Sequence, residues 1–200
     1  MKTFLRSLPL MAALAFGSAA SAAPFRTVVI DAGHGGQDLG GQWGKVYEKH
    51  LSLDTAFRLQ TKLKALGYRT VMTRNSDYFV TLQDRVNIGN SYKDAIFVCV
   101  HYNFTTNQGA SGLETFYYSE QGRTLSAYVQ NSLMNRTNTL DRRSKFARFF
   151  VLRNSRIPSI LVECGFISNS TERDRMKSAN FRESLAQGIA DGIQRYRKDG

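Results

Sequence analysis

Three histidines are present, His34, His50 and His101. Two of them follow short apolar runs: Val28-Val-Ile30 leads through Asp31-Ala32-Gly33 to His34, and Ala95-Ile-Phe-Val-Cys-Val100 leads directly to His101. A third run, Ile160-Leu-Val162, ends at Glu163. Imidazoles and carboxylates move protons near neutral pH and bind zinc, and the glycines beside His34 let the backbone turn tightly and approach a bound group closely. Glu48 joins the set by its position on a helical stripe. At about 100° per residue it lies roughly 20° from Leu59 and 60° from Leu63, which points it inward, whereas His50 is about 200° away and faces solvent. An inward carboxylate is costly unless it is paired or binds a metal. Two histidines and a glutamate form a catalytic zinc set with a fourth position open for water, and a further carboxylate can carry a proton to a leaving nitrogen. His34, Glu48 and His101 are thus candidate ligands, and Glu163 is the candidate base. On residue types alone other readings stand beside this one: a packed strand-end histidine for His101, a turn residue for His34, and an arginine salt bridge for Glu163.

These groups converge only if their strands share a sheet, because ligands of open α/β sheets sit at the carboxyl ends of the strands. The apolar runs at 27–31 and 95–100 read as buried central strands. Ala56, Leu59, Leu63 and Leu66 recur at helical spacing from Glu48 to Leu66, and Gly67 stands where a C-terminal cap belongs. A strand is expected over 68–73, then a helix over 81–92 with Leu82 and Val86 inward and Ile88 as a third candidate. Further expectations are a strand over 113–118, a helix over 124–138, short strands over 149–152 and 159–163, and an amphipathic final helix marked by Phe181, Leu185, Ile189, Ile193 and Tyr196. Alternating strands and helices imply a single-domain α/β sandwich, with a mostly parallel mixed sheet of about six strands and helices on both faces.

Lys2 and Arg6, the apolar run from Leu8 to Phe16 and Ala20-Ser-Ala22 have the form of a secretory signal peptide, so residues 1–22 are expected to be removed and 23–200 to form the domain. Of 27 Lys and Arg against 16 Asp and Glu, only Lys2 and Arg6 fall in that leader, which leaves the remainder strongly basic. No later stretch approaches the roughly 20 apolar residues of a membrane span. The expectation is an exported monomer of the periplasm or cell envelope, or of the extracellular space, that meets an anionic envelope polymer. No pattern suggests nucleic-acid recognition. Cys99 and Cys164 lie in apolar runs and read as free buried residues, although an oxidising compartment would permit a bridge.

With these residues in place, the chain resembles the zinc-dependent N-acetylmuramoyl-L-alanine amidases of the amidase-3 type over essentially its whole length beyond the leader. Val29-Ile-Asp-Ala-Gly-His-Gly-Gly36 is similar to the first ligand motif, and Glu48-Lys with Leu51 and Leu53 to the glutamate-ligand helix. Arg85 with Gly89-Asn90, followed by Val98-Cys-Val-His101-Tyr-Asn103, resembles the second helix and second histidine motif. Gly112-Leu-Glu-Thr-Phe-Tyr117 resembles the following strand, and Leu161-Val-Glu163-Cys-Gly-Phe-Ile-Ser-Asn169 the stretch around the catalytic glutamate. Cys99, Tyr102 and Cys164 depart mildly from the pattern, and Tyr102 is a candidate to narrow the crevice or touch substrate. The resemblance implies one zinc per chain and cleavage of the amide between the lactyl group of N-acetylmuramic acid and L-alanine in peptidoglycan. A zinc peptidase acting within the stem peptide and a non-catalytic wall-binding module are the alternatives. The short interval from His101 to Glu163 implies no inserted autoinhibitory helix. The basic stretch Arg142 to Arg148 is either a solvated rim or a subsite for stem-peptide carboxylates. Arg148 and Asn103 are accordingly candidate substrate contacts.

Overall fold

The computed structural model describes residues 25–200, so the expected leader lies outside the described residues. The first half of the chain forms β1 (Thr27–Ala32), β2 (Gln42–Trp43), β3 (Val46–Tyr47), α1 (Glu48–Ala65), β4 (Arg69–Met72), α2 (Leu82–Asn90) and β5 (Ala95–Asn103). The second half forms β6 (Leu113–Tyr117), α3 (Glu120–Arg136), β7 (Asp141–Phe146), α4 (Phe150–Arg153), β8 (Ser159–Phe166), α5 (Ser170–Lys177) and α6 (Ala179–Asp199). Six strands make one sheet in the order β4-β1-β5-β8-β6-β7. The first four are mutually parallel, β6 runs against β8, and β7 runs parallel to β6. The mixed, mostly parallel sandwich expected from the sequence is what forms. No helix among the described residues is long and apolar enough to cross a membrane.

Side-chain alternation on the strands decides where chemistry can sit. On β5, Ile96, Val98, Val100 and Tyr102 enter the large core beneath α1, α3 and α6, while Ala95, Phe97 and Cys99 enter a smaller one beneath α2 and α4. On β8, Ile160, Val162 and Cys164 take the large core and Leu161 the smaller. Among the described residues, His101 and Glu163 therefore share the face whose only helices are the 9-residue α2 and the 4-residue α4, and they are register partners on adjacent strands. That thin cover leaves room for a crevice. Cys99 and Cys164 are both free and buried, on opposite faces of the sheet, so they cannot pair.

Three expectations need correction. Residues 149–152 were expected as a strand, yet 150–153 form a single helical turn, because four apolar residues have too few periods to separate the two states. Leu82 is 54% exposed; it opens α2 and faces the crevice instead of the core. Tyr102 has the opposite parity to His101, so although the residue borders the cavity its side chain is fully buried in the large core, where its hydroxyl meets Thr55 Oγ1 of α1 at 2.7 Å. The basic stretch at 142–148 is largely the edge strand β7, whose charges discourage edge-to-edge pairing.

Candidate metal centre and catalytic site

Beyond β1 the chain enters the left-handed region at His34 (φ 58°), a conformation worth about 1 kcal/mol or more of strain in a non-glycine residue. Arg85 Nη2 donates to the His34 carbonyl at 2.8 Å, and the same guanidinium donates to Asp31 and to the Ala32 and Val80 carbonyls. The loop closes on α1 without a side-chain cap: the amides of Glu48 and Lys49, which a helix start leaves unpaired, donate to Gly41 O and Leu39 O. Gly40 is required here, since a Cβ would lie 2.6 Å from both Glu48 Oε2 and His34 Cδ2 at φ +66°.

His34, Glu48 and His101 converge, with one ligand atom from each lying within 4.8 Å of the others. Glu48 Oε1 is 3.1 Å from His34 Nε2 and 2.8 Å from His101 Nδ1, and the two imidazoles meet edge-on with centroids 4.9 Å apart. Glu48 also accepts from the amides of Gly41 and Tyr102. Burial works to raise the Glu48 carboxyl, but hydrogen bonds from His101 and His34 overcome it and hold the group well below the usual carboxylate range. Burial works to lower His34, and its bonds to Glu48 and Asp38 outweigh that and raise it. His34 Nδ1 lies 2.9 Å from Asp38 Oδ2, a carboxylate that can only accept, so with a metal in place of a proton on Nε2 Asp38 would hold the remaining proton on Nδ1. Two imidazole nitrogens, a carboxylate oxygen already stripped of water and a histidine held by an outer carboxylate fit zinc.

Glu163 is half-buried overall, yet its Oε2 is sealed from solvent and has no hydrogen-bond partner. Burial, then the charges of Glu48 and Glu114, push its carboxyl well above the usual range. It lines a cavity of about 630 Å³ together with His34, Glu48, His101 and Asn103. The far wall is apolar: Phe79, Val80 and Leu82 ahead of and within α2 face Phe149, Phe150 and Val151 at α4. The interval between His101 and Glu163 holds β6, α3, β7 and α4, and α4 forms part of that wall.

The remaining candidates separate. His50 is exposed and turns to Asp77. Asn103 lines the cavity but donates to Glu114 Oε1, while Glu114 Oε2 accepts from Arg142 and Lys145. Those two cations of the basic stretch are thus engaged within the fold, and Arg148 is exposed and outside the cavity lining. The sequence reading did not single out Asp38 or Arg74. The only signals for them are an acid four residues after His34 and a basic residue at the end of β4.

Comparison with known proteins places this geometry. A family model described as N-acetylmuramoyl-L-alanine amidase matches residues 28–195. The chain is 37% identical to the N-acetylmuramoyl-L-alanine amidase LytC of Bacillus subtilis, over 85% of its own length and 35% of that protein's, so it spans about a third of that relative. Among solved structures it is similar to an N-acetylmuramoyl-L-alanine amidase from Clostridium difficile 630, with TM-score 0.84 and 32% identity, covering 88% of this chain and 99% of that one. It is likewise similar to AmiC2 of Nostoc punctiforme, with TM-score 0.83 and 36% identity, covering 88% and 99%.

Proposed function

The chain belongs to the amidase-3 family of N-acetylmuramoyl-L-alanine amidases, and from that premise we propose that it hydrolyses the bond between the muramic lactyl carbonyl and the stem-peptide L-alanine with the residues assembled above. His34, Glu48 and His101 would hold zinc, which when bound supplies Lewis-acid polarisation of the scissile carbonyl and acidifies the attacking water. The rest is the work of this chain's own groups. Glu163 takes the proton of the attacking water and returns it to the alanine nitrogen as the C–N bond breaks, leaving a lactyl carboxylic acid and a free amine. A carboxyl that burial holds above its ordinary range is suited to both halves of that transfer. Asp38 keeps His34 in the tautomer that presents Nε2. The apolar wall from Phe79 to Leu82 and from Phe149 to Val151 keeps bulk water from one side of the reacting bond.

The single observation that carries this reading is the placement of Glu163: an unpartnered carboxylate oxygen in the same cavity as the His34, Glu48 and His101 set, one strand away from His101. The substrate is peptidoglycan, and the site of action is the cell envelope, reached by export under residues 1–22. Treatment with a chelator should abolish hydrolysis of purified cell wall, and zinc should restore it. Full activity in the chelated, zinc-free protein would contradict the reading.

A further inference from the structure

We propose that Arg74, which touches neither the metal-ligand atoms nor the cavity, is a positioning residue that sets the spacing between His34 and Glu48; this rests on the zinc reading above. Arg74 follows β4 and is fully buried. Its Nη2 donates at 2.8 Å to Gly33 O, the carbonyl just before His34, and at 2.8 Å to Lys49 O, the carbonyl just after Glu48. One nitrogen therefore joins the two chain segments that carry the first two ligands. Nε donates to Ala32 O at 2.9 Å and Nη1 to Ser76 O at 3.1 Å, so the plane of the guanidinium is fixed from three sides. The loop lies directly on it, since a Cβ on Gly35 would come within 3.0 Å of Arg74 Cδ and Nε.

The energetic setting argues against simple packing. Among the described residues no carboxylate lies within hydrogen-bonding distance of Arg74: the neighbouring buried acid, Asp31, accepts from Arg85 and Thr73 instead. A buried cation whose partners are all main-chain carbonyls is expensive, and an apolar side chain of similar length would fill the volume without that cost. What arginine alone provides is a rigid planar fork of donors, which a lysine ammonium does not reproduce. The other ties between loop and helix lie farther along the loop, from Lys49 Nζ to Gly36 O and from the Lys49 and Glu48 amides to Leu39 O and Gly41 O, and Arg85 holds the His34 carbonyl without reaching α1; Arg74 joins the residue just before His34 to the residue just after Glu48.

The test is the zinc affinity of purified wild type, R74K and R74A, measured by competition with a chromophoric chelator, beside thermal unfolding of each metal-free protein. R74K is expected to unfold cooperatively and to bind zinc about 10- to 100-fold more weakly, the usual loss when a group supporting a ligand is removed. Methylguanidinium added to R74A is expected to recover part of that affinity, which a general loss of stability would not allow. Zinc affinity of R74K within about twofold of wild type would overturn the proposal. Failure of both variants to fold in excess zinc would overturn it too, because Arg74 would then support the whole fold. Wild type that binds no zinc would sink the metal reading itself, a separate failure.

Discussion

In the proposed reaction Glu163 is a base whose surroundings, burial first and then the charges of Glu48 and Glu114, make ionisation costly. Replacing it by glutamine keeps the shape and removes the proton carrier, so turnover of cell wall by E163Q should fall about 10²- to 10⁴-fold with zinc content unchanged; simultaneous metal and rate measurements check both halves. Asp38 acts one step farther out. D38A frees His34 Nδ1 and is expected to weaken zinc binding by about tenfold or more while E163Q does not. The candidate ligands and the candidate base were legible in the sequence for a definite reason. His34 follows an apolar strand, His101 and Glu163 end apolar runs within two others, and Glu48 stands on a buried helical stripe, so strand alternation and helical period set the directions of His101, Glu163 and Glu48. Asp38 and Arg74 lie in no periodic pattern. Arg74 draws its role from carbonyls distant in sequence, and Asp38, four residues after His34, meets that ring because the glycine-rich loop turns back on itself, which spacing alone does not reveal.

At the scale of elements, the long helices and central strands follow from their patterns, and the missed or misread pieces share a cause. α5 has charged residues nearly throughout and buries only Glu172 and Met176, so no apolar stripe marks it. Its start is nonetheless capped by Asn169, which accepts from the Glu172 amide. β7 escaped notice because its inward residues are themselves polar: Arg142 and Lys145 meet Glu114, and Ser144 meets Ser126. The α3–α6 packing yields a sharp expectation. A Cβ on Gly192 of α6 would lie 2.5 Å from Val129 Cα and 2.9 Å from Tyr128 O, both backbone atoms that cannot step aside. G192A should therefore destabilise the fold by about 1–3 kcal/mol in urea unfolding, despite the roughly 1 kcal/mol that alanine gains over glycine within a helix. An unchanged or higher midpoint would show that the two helices can separate freely.

For the molecule as a whole, α1 is tied to α6 by a charge cluster far from the crevice. Asp54 accepts from Arg58 and Arg182, and Glu183 from Arg58 and Lys62. Burial works to raise Asp54, and the two arginines more than offset it, so its folded-state value is depressed. A depressed acid contributes stability that is present above its unfolded value near 3.9 and is lost as pH falls through the folded value. Wild type should lose this contribution below about pH 4, and D54N, which lacks it throughout, should show a flatter acid limb in unfolding midpoints compared between pH 6 and pH 3. The cluster supports the scaffold and leaves catalysis to the opposite face of the sheet. The central claim concerns which bond that face breaks. Incubation of the purified protein and zinc with defined muropeptides, followed by mass analysis, tests it directly. Intact stem peptides bearing a free L-alanine amine, together with peptide-free muramic sugars, are the expected products. Shortened peptides still attached to the sugar would contradict it.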